Sequence, residues 1–84
     1  MQSTAPEDAP SATGDGAVRL LVDVYDRIAA AKGYRSRASQ ARWHGIARSA
    51  LFRLVGGGEP ATRTAVKMAA DLGVPFEAIW ERVA

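Results

Sequence analysis

From Ala17 onward, apolar residues recur at three- and four-residue steps, the spacing that puts them on one face of a helix. Val18, Leu21, Val24 or Tyr25, Ile28 and Ala31 share such a face, while Arg19, Asp23, Asp26 and Arg27 fall elsewhere. The pattern predicts an amphipathic first helix that starts near Ala17 with Asp15 as its cap and stops at Lys32-Gly33. Asp23 and Arg27, four apart, would support each other there by ~0.3–0.5 kcal/mol. Ser36 is the expected N-cap of a short second helix, about Arg37 to Trp43, running into Gly45. A two-turn third helix follows, with Leu51 and Leu54 inward, Arg48, Ser49, Phe52 and Arg53 outward, and Gly56-Gly57-Gly58 as its stop. Pro60 leads into a fourth helix, Thr62 to Leu72, with Ala65, Met68, Ala69 and Leu72 inward. After the Gly73-Val74-Pro75 corner, Phe76, Ile79, Trp80 and Val83 form an apolar stripe on a last helix, about Phe76 to Arg82. With no strand-like alternation and no internal repeat, the expected class is all-α, a compact five-helix domain.

Residues 1–16 have no such periodicity. They are rich in Ala, Pro, Ser, Thr and Gly, and are expected to form a disordered leader ahead of one domain at 17–84. Charge divides at the same place. The leader holds Glu7, Asp8 and Asp15 and no base, so the domain holds all eleven bases. Seven of them, Arg27, Lys32, Arg35, Arg37, Arg42, Arg48 and Arg53, occupy a window up to Gly58 that contains no acid. A one-signed window over the second and third helices is the footprint expected of a polyanionic partner. An acidic leader next to such a window could fold back and compete for it, or merely aid solubility.

The segment Gly45-Ile46-Ala47-Arg48-Ser49-Ala50-Leu51-Phe52-Arg53-Leu54 resembles the turn and recognition helix of phage repressor and Cro-type helix-turn-helix domains. A second block in register, Ala65 to Trp80, is similar to that family's fourth helix, Leu-Gly-Val turn and fifth helix. The resemblance covers about residues 17–84 and implies a repressor-like fold and a DNA-binding regulator. Several positions depart from the family pattern, among them Val55 and Gly56, which stand where Glu-Arg is common. Gln40 and His44 stand where a buried Leu and a small residue are usual, and Ala47 stands where Ser often caps the third helix. If Gln40 is buried, its amide needs partners, since an unsatisfied buried polar group costs roughly 1–3 kcal/mol.

By this resemblance, Arg48, Ser49 and Arg53 match base-reading positions, and two such arginines, each able to pair with guanine N7 and O6, imply G-containing half-sites. Phe52, on the same face, either meets a thymine methyl or packs beside Trp43. Arg37 matches a phosphate-contacting position at the start of the second helix. Arg42, Arg35 and Lys32 are further candidates for phosphate, with a solvated charge the preferred alternative for Lys32.

His44 has no cysteine or second histidine with which to share a metal and no serine in a hydrolase motif, and the carboxylates are scattered. A packed or phosphate-touching histidine is therefore expected, with no enzyme activity, metal or cofactor. The chain has no cysteine, no signal-like start and no apolar run long enough for a bilayer, so a soluble cytoplasmic protein without membrane contact is expected. The expected partner is double-stranded DNA. The alternative is a protein-interaction module of the same fold, docking through the Trp43 and Phe52 surface or through Phe76, Ile79, Trp80 and Val83. That last stripe is also the candidate homodimer surface.

Overall fold

The computed structural model describes residues 17–83. Its elements are β1 (Val18–Leu20), α1 (Val22–Ala31), α2 (Arg37–His44), α3 (Arg48–Val55), α4 (Thr62–Leu72), α5 (Phe76–Ile79) and β2 (Trp80–Arg82). The fold is mostly helical, with five helices, and it adds a short antiparallel sheet that corrects the all-α expectation. The expected leader and its Asp15 cap lie outside the described residues.

The sheet takes one turn from each outer helix that the periodicity predicted. Val18 pairs with Arg82, Arg19 with Glu81 and Leu20 with Trp80. Leu20 and Trp80 are both buried, while Arg19 Nε donates to Glu81 Oε1 at 3.1 Å on the exposed side. One sheet face thus sends Leu20 and Trp80 into the core and the other carries an ion pair, the pattern of a half-buried antiparallel pair. The ladder is extended by Leu21 N–H donating to the Ile79 carbonyl and Val83 N–H to the Ala17 carbonyl.

Starting α1 at Val22 changes which of its residues point inward. Tyr25 and Ala29 are buried, Val24 and Ile28 pack against the core from the edge, and Ala31 is exposed. The predicted support between Asp23 and Arg27 is not formed, and both side chains are exposed.

The middle of the chain follows its local signals. Ser36 caps α2, its Oγ accepting from Ser39 N–H while Ser39 Oγ accepts from Ser36 N–H. Gly45 closes α2 in the left-handed region at φ 70°, where a residue with a Cβ is strained. From there the chain turns through Ile46 and Ala47 into α3. The inward residues predicted for α3 and α4, Leu51, Leu54, Ala65, Met68, Ala69 and Leu72, are all buried. They meet Tyr25, Ala29, Ala41, Ile79 and Trp80 in one core to which every element except β2's outer residues contributes.

Candidate nucleic-acid interface

The outward face of α3 is built by the same residues that anchor its inner face. Leu51 and Leu54 are essentially inaccessible, so the positions between them have only one direction left. Arg48, Ser49, Phe52 and Arg53 are all exposed. Ala47, the N-cap, offers no side-chain bond, and the first-turn N–H groups of α3 have no cap to satisfy them. A free helix start next to Arg48 suits an anion.

Every base of the acid-free window except Arg37 is exposed and outside any ion pair among the described residues. Arg27, Lys32, Arg35, Arg42, Arg48 and Arg53 therefore keep their charge uncompensated, and α2 packs directly against α3, keeping the two basic helices together. Three of the acids are paired elsewhere, Glu81 with Arg19, Asp26 with Arg37, and Asp71 with Lys67 and His44.

Arg37 is committed within the fold. Its Nη1 donates to Asp26 Oδ1 at 2.6 Å and to Gln40 Oε1 at 2.8 Å, and its Nη2 donates to Asp26 Oδ2 at 3.2 Å. The hydrogen bond to Asp26 raises the guanidinium above its ordinary pKa despite partial burial. A free phosphate ligand was expected here; the structure shows a brace between α1 and α2. Gln40 is the reason that brace is needed. Its amide is buried, Nε2 donates to the Tyr34 carbonyl at 2.9 Å, and Arg37 supplies the donor for Oε1. The departure from the family pattern at Gln40 is thus satisfied inside the domain.

His44, another departure, is buried inside the domain. Its Nε2 lies 2.7 Å from the Tyr25 hydroxyl and its Nδ1 lies 2.8 Å from Asp71 Oδ2, which also accepts from Lys67 Nζ at 2.8 Å. Asp71 as a carboxylate can only accept, so Nδ1 carries the proton, Nε2 is the acceptor, and Tyr25 donates. Burial lowers the imidazole pKa from 6.5 although the Asp71 hydrogen bond opposes it. Burial pushes the Asp71 carboxyl up, but the bonds from His44 and Lys67 together outweigh it and hold it below the ordinary value. Burial likewise pushes the Tyr25 hydroxyl well above its ordinary value. Nothing in the sequence spacing pointed to this chain of four side chains, because its members come from α1, α2 and α4.

Trp43 stacks on Tyr34 with ring centroids 4.0 Å apart and on His44 at 4.6 Å, so both of its faces are taken. Phe52 makes no ring contact with it and is 54% exposed. The apolar stripe of the last segment is mostly not a surface. Ile79 and Trp80 are core residues, and Trp80 Nε1 donates to the Ala65 carbonyl at 2.9 Å. Only Phe76 and Val83 remain accessible.

Among the described residues, no group of three or more His, Cys, Asp or Glu could hold a metal ion, and no helix is long and apolar enough to cross a membrane. No family model, curated protein or solved structure matches the chain.

Proposed function

We propose that this chain binds double-stranded DNA as a transcriptional regulator, with α3 entering the major groove. The observation that carries the reading is the outward face of α3. Arg48, Ser49, Phe52 and Arg53 project together from a helix whose inner leucines are locked in the core. Arginine can pair bidentately with guanine, serine can bond to several base edges, and an aromatic can meet a thymine methyl. Two short helices packed together and joined through a left-handed glycine support reading the pair as a helix-turn-helix, in which the second helix reads bases and the first lies across the backbone. Arg42, Arg35 and Lys32, exposed and unpaired, are then the phosphate ligands, while Arg37 holds α2 in place.

The exposed Phe52 favours one competing use of the same face, as a hydrophobic anchor for a protein partner. Selection of bound duplexes from a random pool separates the two. DNA reading requires recovery of a short G-containing motif and a binding constant that falls with salt at a log–log slope of about −0.9 per phosphate neutralised. It also requires Arg48→Ala to relax the preference at one position by ~1–3 kcal/mol. Sequence-blind binding that Arg48→Ala leaves unchanged would refute base reading by α3.

A further inference from the structure

We infer that Gly58 is a positioning residue for Arg53, an inference that rests on the DNA-binding reading for its purpose but not for its geometry. The four longer helices all end in the same way. In each, the residue after a left-handed glycine returns its N–H to a carbonyl five residues back: Tyr34 to Ala29, Ile46 to Ala41, Gly58 to Arg53 and Val74 to Ala69. This is the Schellman arrangement, in which that residue normally carries an apolar side chain that packs back on the last helical turn. Tyr34, Ile46 and Val74 carry such side chains, half-buried against the core. Position 58 is the exception, since it has no side chain at all.

What fills the place is Arg53. An ideal Cβ at position 58 would stand 2.7 Å from Arg53 Cγ and 2.8 Å from the Arg53 carbonyl oxygen. The methylene stem of Arg53 lies against the face of Gly58 that a Cβ would occupy. From that seat Arg53 Nη1 donates to the Glu59 carbonyl at 3.0 Å. The side chain is held at its stem and at its head, and the rest of its guanidinium donors face solvent from the exposed side of α3. A long arginine fixed in this way loses less freedom on meeting a base or phosphate than one that is free, which is how preorganisation raises affinity. Arg48, at the other end of the helix, has no such seat and makes no hydrogen bond among the described residues.

The geometry is tested first on the free protein, without any variant. The 15N heteronuclear NOE of Arg53 Nε should report an ordered side chain and that of Arg48 Nε a mobile one. Equal mobility of the two overturns the inference. The consequence is tested by a double-mutant cycle, with dissociation constants measured by fluorescence anisotropy on a duplex selected by the wild-type chain. Gly58→Ala should weaken binding roughly tenfold when Arg53 is present, through the lost preorganisation. In the Arg53→Ala background it should change binding by less than about twofold. That background subtracts any strain the new Cβ places on the turn itself, because the Arg53 carbonyl is common to both. The same loss in both backgrounds, or no loss in either, overturns the inference. An ordered Arg53 in a wild-type chain that selects no duplex would leave the seat in place and refute the DNA reading instead.

Discussion

Removing a single oxygen from Tyr25 should cost this domain a large part of its stability. The Tyr25 ring is completely inaccessible, and its hydroxyl is the donor, at 2.7 Å, to His44 Nε2. His44 is itself buried and has its other nitrogen committed to Asp71, so it cannot turn to find water. Tyr25→Phe keeps the ring and opens almost no cavity, but leaves Nε2 as a buried acceptor with no donor. That costs ~1–3 kcal/mol. Native domains have ~0.05–0.15 kcal/mol per residue, so a chain of this size holds about 4–12 kcal/mol in all. A central loss of about 2 kcal/mol lowers the melting temperature by about 8–16 °C. The assay is thermal unfolding followed by circular dichroism at pH 7.5, with urea denaturation for the free energy. Tyr34→Phe is the control, since the Tyr34 hydroxyl makes no hydrogen bond among the described residues and the change should stay within about 0.5 kcal/mol. A Tyr25→Phe variant that melts within about 3 °C of the wild type would refute the assignment of the hydroxyl as donor to a trapped imidazole.

The same network sets the direction of pH dependence. The folded His44 pKa lies below the unfolded 6.5, so the unfolded chain takes up a proton first and stability declines as pH falls through about 6.5. Asp71, held below its ordinary value when folded, adds a loss in the same direction as pH falls further, toward its folded pKa. Urea midpoints should therefore drop from pH 7.5 to 5, and the His44 Cε1–H resonance should titrate below 6.5; a midpoint above 6.5 would contradict the burial argument. Arg37→Ala removes the donor to the buried Gln40 Oε1 together with the Asp26 pair, and should destabilise by about 1–2 kcal/mol in urea denaturation. An unchanged midpoint with weakened DNA binding would return Arg37 to the role of phosphate ligand.

The helices from Ser36 to Leu72 could be read from the sequence because each is bounded by residues that act over one turn. Ser36 caps α2, Gly45 and Gly73 accept left-handed conformations, and the spacing of Leu51, Leu54, Met68 and Leu72 marks the inner faces. The outward set Arg48, Ser49, Phe52 and Arg53 followed from that spacing, since a helix with its leucines buried has no choice about its other side. The two strands were not legible. Each is three residues long, too short for alternation to register, and each is stabilised by a partner sixty or more residues away in the chain. Pairing therefore decided that Trp80 lies in the core rather than on a docking stripe. Tertiary contact also decided which charges remain free. Arg37 and Arg42 look alike as letters, but Asp26 and Gln40 reach one, and among the described residues no side chain pairs with the other. Local propensity and periodicity act within a few residues and are written in the chain; burial, pairing and charge compensation depend on what distant segments bring together, and exist only once it has folded.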